Sequence, residues 1–321
     1  MNEEIAEAPR ALAIRRAAVF VLSDVRSGST LLDQCLGGHP EVVSLGEIHW
    51  LQAYLNQDRS LYNPAHPLVC TCGSSVRNCP FWQRVEATLN KPLDSLSLNL
   101  SYRRQKHEPG LVSVLRYLPR RLLWASPELY RFKIVRACFR AGRMAKDAAR
   151  LYDAVTIATR RPYCVDSSKS PFRFRAVYDL EPHRTVAIVL TRDYRAVVHS
   201  KMKRGQSLRT AADGWRRRMQ EIETLTNGVP SGRIISLKYE SFCENPEIEL
   251  TRICAFLGIS FAQSMLQRAT DDVHHLGGSP SKFDPSRIRI SVDRSYEQHL
   301  TRERLDEIRA VVGNAAEKWG Y

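Results

Sequence analysis

The chain has 321 residues, 43% of them hydrophobic and 26% charged, with 16 Gly and 16 Pro. That mix excludes a disordered, fibrous or collagen-like chain and supplies enough apolar material for one large α/β domain or about two average ones. Lys and Arg number 48 against 34 Asp and Glu, a net charge of +14, so the expected partner is anionic: nucleic acid, phospholipid, nucleotide or acidic saccharide.

In chain order, the first predicted strand is Ala17–Leu22, short, apolar and bounded by polar residues, as a fully buried parallel strand is. A small polar turn follows, Ser23-Asp24-Val25-Arg26-Ser27-Gly28-Ser29-Thr30. Residues 31–36 then read as a helix that ends at Gly37-Gly38. Residues 42–45 read as a short strand before Gly46-Glu47, and residues 60–80 as loop, with Pro64, Pro67, Gly73 and Pro80. From 81 to 158 the pattern is mainly helical, broken at Pro92, Pro109, Pro119 and Pro127. Residues 162–166 form the next predicted strand and run into Ser167-Ser168-Lys169-Ser170-Pro171. A strongly buried strand over 185–190 runs into Thr191-Arg192-Asp193, and a helix follows over 195–203. Residues 234–239 are a further strand, and 248–257 an amphipathic helix ending at Gly258.

Strands alternating with helices predict an α/β fold: a central parallel sheet flanked by helices, of the P-loop-like nucleotide-binding kind, with a helical insertion. Residues 1–15 read as a tail and 16–321 as one domain, with the basic helical insertion at about 83–158. No internal repeat is expected.

A strand, a glycine-containing loop and a helix N-terminus make an anion cradle, because backbone N–H groups point outward and the helix dipole favours negative charge. Against the GxxxxGK[ST] pattern, Ser23 stands at the first Gly, Gly28 at the second, Ser29 at the Lys and Thr30 at the Ser/Thr. The spacing is that of a phosphate loop without the lysine that grips β- and γ-phosphates. Arg26 sits inside it, with Ser27, Ser29 and Thr30 as hydroxyl donors, which suits a 5′-phosphate better than Mg-dependent triphosphate chemistry. The plain alternative is an ordinary polar strand-to-helix turn. A second element lies at the end of the 185–190 strand. Arg192 and, eight residues on, Ser200 are about two helical turns apart, roughly 12 Å of rise, within reach of one phosphate. The alternative there is a salt-bridged Arg192 and a Ser200 that faces solvent.

Together these motifs resemble the sulfotransferases that use 3′-phosphoadenosine 5′-phosphosulfate (PAPS). In that family a strand–RSG[ST]T–helix loop binds the 5′-phosphosulfate, and R-D-x-R-A-x-x-x-S binds the 3′-phosphate. The second pattern reads here Arg192-Asp193-Tyr194-Arg195-Ala196-Val197-Val198-His199-Ser200. Asp166-Ser167-Ser168-Lys169-Ser170-Pro171 is similar to the family's [DN]K[ST]P-type segment. Tyr239-Glu240-Ser241-Phe242-Cys243-Glu244-Asn245-Pro246 is similar to its YE-D-L-x-x-x-P segment, and Ala255-Phe256-Leu257-Gly258 ends the following helix. His275-Leu276-Gly277-Gly278-Ser279-Pro280 and the tail through Asp293 resemble the bacterial branch. The likeness spans about 16–320, and the order and spacing of the motifs are its specific part. Ser23-Asp24 departs from the glycine- or proline-containing sequence of many members.

The resemblance implies an enzyme that moves a sulfuryl group from PAPS to a hydroxyl of a saccharide, glycolipid or other small molecule and releases 3′,5′-adenosine bisphosphate (PAP). It implies in-line attack with a carboxylate base and no required metal. Arg26, Ser27, Gly28, Ser29, Thr30, Arg192 and Ser200 would bind the co-substrate, with Tyr239 near the adenine or else in the core. Lys282 and Arg289 are further 3′-phosphate candidates. Glu47, in Ser44-Leu45-Gly46-Glu47-Ile48-His49, is similar to the catalytic glutamate of the tyrosylprotein and several bacterial sulfotransferases. His49 is the rival base, since cytosolic members use histidine, and in an extended stretch residues two apart face the same way. Lys169, matching the family lysine, is the acid-like group for the bridging oxygen. The plain alternatives are a capping or salt-bridged Glu47 and a surface Lys169.

Two competing readings stand beside this one. A P-loop nucleotide kinase is disfavoured by Ser29 in the lysine position and by the lack of an Asp pair for Mg. A basic nucleic-acid-binding protein would need a zinc finger, helix-turn-helix or RNP sequence, and none is read, so no nucleic-acid partner is expected.

Eight cysteines, after an Asn2-Glu3-Glu4 start without a basic-then-apolar leader, predict reduced thiols in a cytoplasmic protein. The longest strongly apolar run, Ala17–Leu22, is six residues, against about 20 for a membrane span. Cys138, Cys164, Cys243 and Cys254 read as core fillers. Cys70-Thr71-Cys72-Gly73 and then Cys79-Pro80-Phe81-Trp82 form C-x-C-x6-C. Zinc needs about four ligands, and His66 or Cys35 would have to supply the last. The spacing matches no standard ribbon, so a disulfide or clustered thiols is the expectation and no metal ligand is assigned. Residues 101–150 hold thirteen Lys/Arg against Glu108, Glu128 and Asp147, a net +10. Leu111, Val112, Val114, Leu115, Leu118, Leu122, Leu123 and Trp124 give that segment an apolar side. It reads as a solvated cationic face, or as a site for an anionic acceptor or an anionic membrane surface.

Overall fold

A computed structural model of the protein describes residues 17–58, 67–98, 126–138, 140–267, 273–283 and 290–321. Five strands form one all-parallel sheet: β1 (Ala17–Leu22), β2 (Val42–Ser44), β3 (Tyr163–Asp166), β4 (Thr185–Thr191) and β5 (Ile234–Lys238). Their spatial order is β2-β3-β1-β4-β5, so the chain enters at the centre, steps to one edge and returns to fill the other. In register, Phe20 stands opposite Asp166 on β3 and Ala187 on β4.

The alternation of side chains along a strand divides the core in two. Ala17, Val19 and Val21 of β1, with Val186, Ile188 and Leu190 of β4, face one cluster. That cluster is completed by Leu32 and Leu36 of the Ser29–Gly37 helix and by Phe242, Leu250 and Ile253 of the Tyr239–Glu244 and Pro246–Leu257 helices. Ala18, Phe20 and Leu22, with Ala187 and Val189, face the other. There they meet Leu151 and Tyr152 of the Ala141–Thr159 helix, Phe174 of the Pro171–Leu180 helix and Trp215 of the Leu208–Thr226 helix. A sheet covered on both faces explains why β1 and β4 read as unbroken apolar runs.

The predicted strands are all present, each within a residue or two of its expected bounds. The first helix runs Ser29–Gly37 instead of 31–36, because Gly28, left-handed at φ 86°, lets it start at Ser29. The helix expected over 195–203 is Tyr194–Met202, capped by the Asp193 carboxylate, which accepts from the Arg195 N–H. The described part of the 81–158 stretch holds the Pro80–Leu89, Lys133–Cys138 and Ala141–Thr159 helices. Residues 101–125, with the whole apolar side expected there, lie outside the described residues, as do His66 and Arg289. The Pro171–Leu180 and Leu208–Thr226 helices were not anticipated. The second carries Ala211, Ala212, Trp215, Met219, Ile222 and Leu225, spacing that marks one buried helical face.

One buried ionic network anchors the end of β3. Arg173 Nε donates to Asp166 Oδ2 at 2.7 Å, Tyr152 donates its hydroxyl to the same oxygen at 2.6 Å, and Arg173 Nη2 reaches the Tyr152 oxygen at 3.0 Å. Burial alone would raise the Asp166 pKa, but Arg173, Ser168 and Tyr152 outweigh it and hold the carboxylate below its ordinary range. Both charged side chains are at most 2% exposed. Removing one member leaves the other charge stranded, at a cost of about 3–5 kcal/mol. Arg173→Met should therefore lower the unfolding free energy in urea by about that amount, whereas Arg77→Ala, which breaks the exposed Arg77–Asp94 pair, should change it by at most about 1 kcal/mol.

Candidate active site

The loop after β1 is shaped by two left-handed residues, Arg26 at φ 73° and Gly28 at φ 86°. Gly28 has no substitute here: a Cβ would come within 2.4 Å of Tyr239 Cδ2. Tyr239 is buried at the back of the loop, its hydroxyl donating to the Ser291 carbonyl at 3.1 Å. Its ring lies under the Arg192 guanidinium, 4.4 Å from centroid to Cζ. The departure at Ser23-Asp24 has a structural reason. Asp24 forms a buried ion pair with Lys201, which stands on the helix after β4 and so ties that helix to the glycine loop.

A second tie joins the motifs directly. Arg26 Nε donates to Ser200 Oγ at 3.0 Å, and Arg192 Nη1 donates to the Arg26 carbonyl at 3.0 Å. Burial and then the charges of Arg204 and Arg192 press the Arg26 pKa downward, with Asp293 the opposing influence. Arg192 Nη2 holds Asp293 at 3.1 Å, and against its burial the Asp293 carboxyl is drawn down to about 2 by Ser295 and Arg192. Cations therefore outnumber anions at this place. Ser27 Oγ and Arg192 Nε are buried and have no hydrogen-bond partner among the described residues. A glycine loop at a helix start, clustered arginines and idle buried donors are the donor set of an anion site. Asp193 and Arg195 of the second motif serve the fold: they pair with each other at 2.6 Å, and Tyr296 donates to Asp193 at 3.0 Å.

Glu47 follows β2 and Lys169 follows β3. The two form a close ion pair, and Trp50 Nε1 donates to the other Glu47 oxygen at 3.1 Å. Burial favours the neutral acid, but Lys169, His49 and Trp50 together outweigh it, so Glu47 is held below the ordinary glutamate range. Lys169 takes the left-handed conformation, φ 60°, a strained geometry for a side chain of its length. The stretch is not extended at His49. Residues Ile48–Trp50 form a single 3-10 turn with Glu47 at its N-cap, so the shared face expected of Glu47 and His49 is replaced by a turn. The His49 ring packs on Trp50 at 4.6 Å, and burial pushes its pKa down to about 4, which makes it neutral near pH 7.

The segment from His275 to Ser279 closes one wall. Glu47 N–H donates to the Leu276 carbonyl at 2.6 Å, and Leu276 N–H donates to the Leu45 carbonyl at 3.0 Å. A Cβ on Gly277 would meet Glu47 Cβ at 2.6 Å, and Ser279 N–H donates to Thr30 Oγ1 at 3.2 Å. The same few residues thus touch both the phosphate loop and the carboxylate. Lys282 corrects the expectation placed on it. It lies over the Tyr54 ring at 5.7 Å, within reach of the His275 carbonyl, on the Glu47 side and not with Arg192. Burial lowers its pKa to about 8. Asp33 was not anticipated. Burial raises its carboxyl to about 7 against the hydrogen bond from Ser44. Its position in the first helix, two residues after Leu31, carried no sign of this.

Cys35, Cys70, Cys72, Cys79, Cys164, Cys243 and Cys254 are free thiols. Cys35 stands on the first helix with its side chain in the core, and the group that joins Cys70, Cys72 and Cys79 is His274, not Cys35. Among the described residues, no helix is long and apolar enough to cross a membrane.

Comparison with known proteins agrees with this layout. The family model described as "Sulfotransferase family" matches residues 18–263. No curated protein matches the chain by sequence. Among solved structures, the sulfotransferase domain from the Synechococcus PCC 7002 olefin synthase is similar, with a TM-score of 0.51, 22% identity and 96% of each chain covered. Sulfotransferase STF9 from Mycobacterium avium is similar with a TM-score of 0.50 and 14% identity, covering 95% of this chain and 77% of that one. These likenesses show a shared fold, while the family match, over most of the length and across both phosphate motifs, shows that the chain belongs to the sulfotransferase family.

Proposed function

We propose that the protein transfers a sulfuryl group from PAPS to a hydroxyl of a small-molecule or glycan acceptor, with Glu47 as base. The observation that carries this reading is the gathering of Arg26, Arg192 and Arg204 around the glycine loop, with buried unpartnered donors on Ser27 and Arg192. An anion with two phosphate groups matches that charge and those donors. Arg26, Ser27, Gly28, Ser29 and Thr30 would hold the 5′-phosphosulfate, and Arg192 and Ser200 the 3′-phosphate. Tyr239 backs the loop from beneath.

When bound, PAPS supplies an activated sulfuryl group on a phosphate leaving group. The chain's own residues do the rest. Glu47, kept ionised by Lys169, takes the proton of the acceptor hydroxyl. Lys169 offers its ammonium to the oxygen on which charge develops, and Arg26 neutralises the phosphosulfate. His49, neutral and packed on Trp50, narrows the acceptor side. Gly277 lets the wall approach Glu47 and excludes water from it. The reading requires no metal at the reacting centre. With it go two earlier expectations, a cytoplasmic setting and the basic segment 101–150, whose described residues include the exposed Phe132 and Ile134, as a surface for an anionic acceptor or membrane.

Calorimetry tests the co-substrate site. PAP should bind the wild-type chain much more tightly than Mg-ATP. Arg192→Ala should weaken it by about 10- to 100-fold, the worth of hydrogen bonds to a charged group. Preference for Mg-ATP would remove the reading. A pH profile tests the base. Glu47→Gln should cost about 10²- to 10⁴-fold in kcat with PAP binding retained. Because the Glu47 pKa is lowered and the base is its deprotonated form, that activity is complete at neutral pH. It is lost only as pH falls below the ordinary glutamate range of about 4.3. An acidic limb in kcat/KM that survives Glu47→Gln unchanged would assign the base elsewhere.

A further inference from the structure

Outside the reaction site, three thiols and an imidazole converge. The ligand atoms of Cys70, Cys72, Cys79 and His274 all lie within 4.8 Å of one another. Cys70 Sγ is 3.5 Å and Cys79 Sγ 3.3 Å from His274 Nδ1, and Cys72 Sγ is 3.6 Å from Cys79 Sγ. Zn–S bonds of about 2.3 Å and Zn–N bonds of about 2.0–2.1 Å at tetrahedral angles put neighbouring ligand atoms about 3.6–3.8 Å apart. The three shortest separations are close to those edges, and the widest stays within 4.8 Å. The 3.6 Å between Cys72 and Cys79 is far from the S–S length of about 2.05 Å in a disulfide, and a single disulfide would use only two of the three thiols.

We propose that Cys70, Cys72, Cys79 and His274 bind one zinc ion, which clamps the Cys70–Cys79 loop to the wall of the active site. Three soft sulfur ligands and one imidazole are a donor set that selects zinc over magnesium or calcium, and four protein ligands make the site closed and structural. The surroundings orient each ligand. The Cys72 N–H faces the Cys70 sulfur and the Trp82 N–H faces the Cys79 sulfur, as backbone donors do around metal thiolates. Cys70 and Gly73 close a turn, with Gly73 N–H on the Cys70 carbonyl at 2.9 Å. Cys79 is held at the start of the Pro80–Leu89 helix. The His274 ring stacks on Phe81 at 4.5 Å and 8°, which fixes its plane. Thr71, between the first two cysteines, grips both neighbours of His274. Its hydroxyl donates to the Val273 carbonyl at 2.6 Å and accepts from the His275 N–H at 2.9 Å. Cys72 is exposed, so the metal can enter from solvent.

Binding replaces thiol protons by the metal and releases them to solvent, with no change of oxidation state. The bridge spans 195 residues between Cys79 and His274. A cross-link over so long a loop removes much chain entropy from the unfolded state. His274 also immediately precedes the residues that meet Glu47 and Thr30, so the metal fixes one end of that wall.

Metal analysis of the full chain, purified under reducing conditions, should find about one zinc per chain. Cobalt(II) added to the chelator-stripped protein should give the absorption bands of a tetrahedral thiolate site. Cys72→Ser, at the exposed ligand, and His274→Ala should each lower bound zinc at least about tenfold, whereas Cys254→Ala should keep it. Stripping the wild-type chain should lower its unfolding temperature, and zinc should restore it. If a variant fails to fold, the cobalt spectrum of the wild-type chain decides. Wild-type protein that takes up neither zinc nor cobalt, or a Cys72–Cys79 disulfide found by mass spectrometry in the freshly isolated chain, would overturn the proposal.

Discussion

A sheet whose strands all run one way delivers every strand's C-terminal end to the same edge. The rest of the molecule follows from that constraint. β1 ends at the loop of Arg26 and Gly28, β2 at Glu47, β3 at Lys169 and β4 at Arg192. These four strand ends lie apart in sequence, and the sheet alone brings them to one edge. The central placement of β1 matters most, because its loop then lies between the β3 end, which supplies a cation for the carboxylate, and the β4 end, which supplies Arg192.

That edge concentrates like charge. Arg192 and the exposed Arg204 act on the half-buried Arg26, and Asp293, paired with Arg192, offsets only part of that repulsion. Besides that pair, Arg26 and Arg192 are held by contacts that do not neutralise them: a serine hydroxyl, a main-chain carbonyl and the face of Tyr239. Glu47 and Lys169, in contrast, neutralise each other. The site therefore has one part with an excess of cations and one that is already balanced. The first is suited to binding, and the second to moving a proton without a large change in net charge.

Much of this was legible in the sequence because the signals were local. An apolar run such as Ala17–Leu22 announces a doubly covered strand, and a glycine loop before a helix announces an anion cradle. Spacing alone left an ordinary turn open for the glycine loop and a salt-bridged Arg192 for the second motif, and the resemblance to family segments singled out both motifs, Glu47 and Lys169. The remaining features depend on contacts between distant residues. Lys201 as the partner of Asp24, His274 as the companion of Cys70 and Cys79, and Lys282 over Tyr54 have no local pattern. The turn at Ile48–Trp50 escaped because three residues are too short for periodicity to register. Leu208–Thr226 is a different case: its apolar positions recur at helical spacing, but numerous arginines and glutamates between them lower the mean hydropathy of the stretch.

The far-flung origin of the site has a consequence for how the chain comes off the ribosome. The loop of Arg26 belongs to the first strand–helix unit, but the contacts that shape it come from Arg192, Ser200, Lys201 and Tyr239, which are made much later. Asp293, which pairs with Arg192, is made later still, after Arg204 has completed the cationic cluster. At about 5–20 residues per second, roughly 4–18 seconds separate Arg204 from Asp293. For that interval Arg192 lacks the carboxylate that pairs with it. The charge balance of the site is therefore set late, by the segment that carries Gly277 and Asp293, and not by the loop where the site begins.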